Sequence, residues 1–135
     1  MKRMQKIVAS LVVLLCAFTF SSCNKEKYQR NNAAGEAWLA RHTQGARASI
    51  AGQWVSADWG NAALSQNGRR VTGTLGNYSV EGVVSGYKAY LLLKSNGWVY
   101  YTAELESFSA GSLVGLYSAS VPFSAADQQG ILLRR

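Results

Sequence analysis

Beyond Ile50 the chain alternates apolar and polar residues in short runs, and each run stops at a turn-forming group. Asn67-Gly68, Gly76-Asn77, Ser85-Gly86 and Ser95-Asn96-Gly97 recur at short intervals. Such residues supply the positive φ that tight hairpin loops need. Period-two alternation between them predicts antiparallel strands with one buried face. Two-residue turns at the first three sites would set Leu64 against Val71, Leu75 against Tyr78 and Val84 against Tyr87. A three-residue loop at Ser95 to Gly97 would set Leu93 against Val99. Those registers agree on one apolar face, comprising Leu64, Val71, Leu75, Tyr78, Val80, Val84, Tyr87, Leu91, Leu93, Val99, Tyr101 and Leu105. A one-residue slip at any turn would invert every position beyond it, so the agreement predicts a meander. Ser65, Arg70, Thr72, Thr74, Ser79, Glu81, Lys88, Lys94, Glu104 and Glu106 fall on the other face, with Lys88 expected opposite Glu104.

A first strand near 52–57, a seventh near 112–118 and a last near 131–135 bring the total to eight. The fold class expected is all-β: an eight-stranded antiparallel up-and-down meander closed into a small barrel, which removes the exposed edges. Gly73, Gly82, Ala89 and Ala103 fall inward, where they either leave room for a small ligand or let a short sheet coil tightly enough to close. The second reading is the simpler one. On the outward face Tyr90, Leu92, Trp98 and Tyr100 cluster beside Lys94, an apolar patch that calls for a cover. Either it is a binding platform for a partner or for sugar rings, or the Trp38-Leu39 segment folds back over it.

The N-terminus has a different pattern. Lys2, Arg3 and Lys6 precede an uncharged apolar run from Ile7 to Phe20, too short to span a bilayer but suited to a signal-peptide core. It ends Phe20-Ser21-Ser22-Cys23, which resembles the lipobox of bacterial lipoproteins. That resemblance implies removal of residues 1–22, lipidation of Cys23 and a membrane-anchored protein of the cell envelope, at the outer membrane where two are present. The alternatives are an ordinary secretory signal or an uncleaved anchor. Residues 23–49 are expected to be a polar tether with a short helical segment over 33–42, and residues 50–135 the barrel. Gly35-Glu36-Ala37-Trp38-Leu39-Ala40 also resembles the segment preceding the domain of lipoprotein peptidyl-prolyl isomerases of the FK506-binding family. It includes none of their catalytic positions.

Charge sharpens this division. The net charge of +7 invites a nucleic-acid reading until it is located. The signal carries three basic residues, and the tether five basic against two acidic. The barrel has six basic and five acidic residues and is almost neutral. No nucleic-acid partner is expected, and the basic tether suits anionic head groups.

Candidate chemistry is sparse. His42 is the single imidazole and lies in the tether, Cys16 would leave with the signal, and Cys23 would carry lipid. No catalytic residue, metal site or cofactor is therefore expected. Glu104 and Glu106 lie two apart on one outward strand face, as catalytic carboxylates sometimes do, but read more simply as solvated. Asp58 reads as a turn residue.

Gly52-Gln53-Trp54 resembles the Gly-x-Trp that opens lipocalin barrels. The wider pattern of residues 50–135 is similar to small calycin-like domains of the lipocalin and avidin kind. The resemblance implies that Trp54 closes one barrel end under a late-strand arginine, Arg134 or Arg135, with Arg134 taken as the candidate. The role expected is non-enzymatic binding, of a small apolar ligand inside the barrel or of an envelope protein or glycan on the Tyr90–Leu92–Trp98–Tyr100 face. The alternative is a structural or inhibitor lipoprotein without a small ligand.

Overall fold

In the computed structural model, which describes residues 25–135, eight strands close into an antiparallel up-and-down barrel in sequence order. They are β1 (Gly52–Ser56), β2 (Gly60–Asn67), β3 (Arg70–Leu75), β4 (Tyr78–Ser85), β5 (Lys88–Ser95), β6 (Trp98–Ser109), β7 (Ser112–Ser118) and β8 (Gln129–Arg134). One helix, α1, covers 25–40. The chain divides after Arg30. Residues 25–30 of the first unit are helical, and the second unit, Asn31–Arg135, holds the rest of α1 and the barrel. Consecutive strands pair along most of their lengths, whereas β8 meets β1 at a single position, Val55 opposite Arg134.

The turns explain the registers. Gly76 has φ 58° with Asn77 following, and Leu75 faces Tyr78 as the alternation predicts. At the neighbouring hairpins the loop is Gly68-Arg69 and Gly86-Tyr87, one residue later than expected, with φ 61° and 60° at the glycines. A positive φ at the first loop position alone is the type II′ pattern, which wants glycine first and accepts any residue second. Each pairing therefore moves by two residues: Leu64 faces Gly73, and Val84 faces Ala89. A shift of two keeps every side chain on its expected face. It does carry Tyr87 out of the strand, where it is 65% exposed and not inward. The expected Lys88–Glu104 pairing is corrected as well, since Lys88 faces Glu106 and Glu104 faces Tyr90.

The interior is filled by Leu64, Val71, Leu75, Leu91, Leu93, Leu105 and their neighbours, all buried. One end is closed by Trp54, whose indole Nε1 donates to the Ile50 carbonyl at 3.0 Å. The guanidinium over that ring, 4.4 Å from its centroid, belongs to Arg135 and not to Arg134. The reason is positional. Arg134 is the last residue of β8 and points outward opposite Val55, while Arg135 lies beyond the strand and turns back to donate to the Ala51 carbonyl at 3.1 Å. At the opposite mouth Trp59 meets Tyr78, Tyr101 and Tyr117 edge-on, with ring centroids 4.9 to 5.6 Å apart. Edge-to-face contacts at such distances are favourable aromatic packing.

Outside the barrel α1 rests on β4, β5 and β6. Trp38 and Leu39 are buried against Leu92 and Val99, with Val83, Tyr90, Val121 and Phe123 packed around them. Gly35 permits this close approach, because a Cβ there would lie 3.1 Å from Leu92 Cδ2. The β7–β8 loop brings Phe123 parallel to the Trp38 ring. It is held by Asp127, which accepts from the Ser118 and Ser120 hydroxyls, and by Thr102 Oγ1, which donates to the Ser120 carbonyl. Helical structure over 25–40 thus replaces much of the expected polar tether, because the Trp38 face finds a wall to bury against.

Candidate functional site

The site forms where α1 clamps the β5–β6 hairpin. Asn96 and Gly97 both take positive φ, 53° and 82°, and make a two-residue turn with Ser95 opposite Trp98. This is the type I′ loop that Asn-Gly favours. It sets Lys94 against Val99, while further along Leu93 faces Tyr101. Tyr100 is therefore the extra residue of a β-bulge on β6. Asn32 of α1 supports the arrangement from outside. Its amide donates to the Gly97 carbonyl at 2.8 Å, and its Oδ1 accepts from Val99 N–H at 2.9 Å. Bulges commonly re-aim a side chain, and this one turns Tyr100 toward solvent.

Tyr100 leans over a small cavity of about 150 Å³ lined by Asn77, Tyr78 and Ser95. The cavity offers a ring face, a phenol, an amide and a hydroxyl. Together these present apolar area with both donors and acceptors. Burial, then the charge and hydrogen bond of Tyr101, raise the Tyr78 phenol above its ordinary value, so it remains a neutral hydroxyl at physiological pH. Tyr78 also belongs to the mouth plug, which fixes one wall of the cavity to the barrel core.

The expected four-residue platform is therefore divided. Tyr100 is exposed and Trp98 half-buried at the hairpin end. Leu92, expected on the binding face, is fully buried beneath Trp38, Leu39 and Gly35. Tyr90 is half-buried, its ring covered by the His42 imidazole at 3.5 Å between centroids and met edge-on by Trp38. Val99, expected inside the barrel, joins this outer cluster because the bulge reverses its direction. Glu106 and Asp58 are exposed and Glu104 is half-buried. The expected lipidation residue, Cys23, lies outside the described residues.

A second cluster, absent from the sequence reading, ties α1 to the sheet. Lys94 Nζ bonds Glu81 and lies 3.5 Å from Glu36, and Glu81 also pairs with Arg70 at 3.6 Å. Burial would push the Glu81 carboxyl up, but the hydrogen bonds with Lys94 and Glu36 and the charges of Lys94 and Arg70 hold it below its ordinary value. Burial likewise opposes charge on Lys94, and Glu81 and Glu36 outweigh it and raise the ammonium. Glu36 is raised, chiefly by burial and then by Glu81. A depressed carboxyl stabilises the fold above its unfolded pKa and loses that contribution as pH falls through the folded value. The raised ammonium contributes below its own unfolded pKa and loses it as pH rises through the folded one. Lys94→Met should cost about 1–3 kcal/mol at neutral pH, because it strands a partly buried carboxylate. Urea unfolding of the variant across acid to neutral pH should show a shallower acid loss on the Glu81 limb.

Beside this cluster Arg69 of the β2–β3 turn donates to the His42 carbonyl, and the two residues line a cleft of about 220 Å³ under α1. Burial, together with the Arg41 charge, lowers the imidazole pKa against the opposing pull of Glu104, so His42 stacks as a neutral ring. The histidine expected in the polar tether is instead part of the helix–barrel contact.

Among the described residues there is no grouping of His, Cys, Asp and Glu able to hold a metal ion, and no helix long and apolar enough to cross a membrane. Comparison with known proteins finds no matching family, no matching curated protein and no matching solved structure.

Proposed function

We propose that this chain is a lipid-anchored lipoprotein of the bacterial cell envelope, held to a membrane through Cys23, that binds glycan at the Tyr100 cavity without catalysing a reaction. The observation that carries the binding reading is the bulge. Asn32 fixes a hairpin whose one extra residue is an exposed tyrosine beside an amide and hydroxyls. A flat ring covers the C–H face of a sugar at little entropic cost, and the Asn77 amide and Ser95 hydroxyl suit its hydroxyls. The filled interior favours this surface over an apolar ligand inside the barrel. The anchor rests on the basic, apolar, small, Cys order of residues 2–23.

The full-length protein in mild detergent should co-sediment with purified peptidoglycan sacculi, and Tyr100→Ala should weaken binding about tenfold, about 1.4 kcal/mol. Failure of the wild-type protein to sediment, or equal binding by Tyr100→Ala, would refute the glycan reading. Incorporation of labelled fatty acid into the wild-type chain and its loss in Cys23→Ala tests the anchor separately.

A further inference from the structure

The two sides of the barrel are finished differently. The outer wall of β4, β5 and β6 is covered by α1 and the β7–β8 loop. The outer wall of β7, β8 and β1 has no such cover among the described residues. Val114, Leu116, Leu132 and Val55 there are 36%, 37%, 38% and 55% exposed, four of the six exposed large apolar side chains among the described residues. They are contiguous. Val114 faces Leu132 across β7 and β8, Leu116 faces Gly130, and Val55 faces Arg134 across the closure. A Cβ at Gly130 would meet nothing within 4 Å, so the wall is low and open at that point.

Charge flanks this apolar row unequally. On the β6 side Glu106 lies beside Val114 and Glu104 beside Leu116. On the β8 side stands Arg134. None of the three forms an ion pair among the described residues, and Lys88, though opposite Glu106 in register, does not reach it.

We infer that this wall is an interface between two copies of this chain. An isologous contact needs a patch complementary to itself. A two-fold axis in the plane of the wall, running along the strands over the Val114–Leu132 row, lays apolar row on apolar row. The same axis brings Glu106 of one copy toward Arg134 of the other, which stands one two-residue step along the strands from the Glu106–Val114–Leu132 row. Acid on one flank and base on the other is the arrangement that this symmetry requires. A wall with one sign of charge would repel its copy. Face-to-face packing of two sheets in near alignment is an established way to bury such rows. The Tyr100 cavity opens on the β3–β4 and β5–β6 turns and not on this wall, so the two proposals stand or fall separately.

Sedimentation equilibrium of the full-length protein in mild detergent, corrected for bound detergent, tests the inference. The wild-type protein should show the mass of two chains, and Arg134→Glu that of one, with unchanged far-UV circular dichroism. The double variant Arg134→Glu with Glu106→Arg should restore two chains, since the pair is re-formed with its signs exchanged. Tyr100→Ala should remain at two chains. A single-chain mass for the wild type across the accessible concentration range would overturn the interface, including the case where that monomer instead inserts the wall into lipid vesicles. A folded double variant that stays single would overturn it too.

Discussion

Trp38→Ala should destabilise the protein by about 3–5 kcal/mol, the range for removing a buried tryptophan, and lower Tm by more than about 10 °C. Trp38 is only 6% exposed, although it lies on a helix outside the barrel. Its ring meets Tyr90 and His42 edge-on and lies parallel to Phe123, so one truncation releases contacts to a strand, to α1's own C-terminal turn and to the β7–β8 loop. The effect should also reach the candidate site. Asn32 sits on the same helix and holds the β5–β6 hairpin by two hydrogen bonds. A differential scanning calorimetry trace with an unchanged midpoint would show that the helix is not anchored on the sheet. Sacculus binding measured below the new midpoint should weaken in the same variant, because the clamp that presents Tyr100 loosens with the helix.

Gly73→Ala should be more damaging still, costing about 4 kcal/mol or more and leaving little folded protein at 37 °C. Gly73 has φ 148°, and a Cβ there would fall 2.0 Å from the Ala63 carbonyl oxygen. The obstacle is backbone, so no side-chain rotation relieves it. Gly73 lies within β3 on the inward face, where β2 presses close as the short sheet coils to close. Gly45→Ala is the matched control. It adds the same methyl where nothing lies within 4 Å, and its midpoint in urea should barely move. Equal stability of the two variants would contradict the tight approach of β2 to β3.

Parity made the barrel legible. Two of the four hairpin turns lie one residue later than Asn67-Gly68 and Ser85-Gly86 suggest, yet Val71, Val80, Val84 and Leu91 still point inward, because pairings move in steps of two. The misplacement has a plain cause. Gly-Arg and Gly-Tyr read as poor turns until glycine is weighed at the first loop position, where type II′ requires it. The fourth hairpin was less legible. Alternation demanded an odd step near Ser95, and a three-residue loop supplies one. The chain instead combines the two-residue Asn96-Gly97 turn with a bulge at Tyr100, which satisfies the same parity from another position. Nothing in the run Trp98-Val99-Tyr100-Tyr101 marks which residue is the extra one, so Val99 leaves its expected inward place for the outer cluster, while Tyr100 stays exposed.

The helix was under-read for a different reason. Its apolar stripe contains only Trp38 and Leu39 as large residues, while Gly35 and Asn32, one and two turns earlier, contribute by close approach and by hydrogen bonding. Hydrophobic periodicity does not register either of those. Arg135 likewise could not be separated from Arg134 until the end of β8 was fixed.

The single rung between β1 and β8 sets an order of assembly and rupture as a matter of chain connectivity. Every other strand pair joins neighbours in sequence, so a growing sheet adds one hairpin at a time and closes each loop cheaply. Closure alone must bring together the two ends of the barrel sequence, and it does so through Val55 and Arg134. The barrel is in this sense a zip fastened last, and amide exchange at β1 and β8 should run ahead of exchange at β4 and β5. A second molecule laid across β7, β8 and β1 would cover that clasp, so pairing of two chains and protection of the slowest-formed contact would be one event.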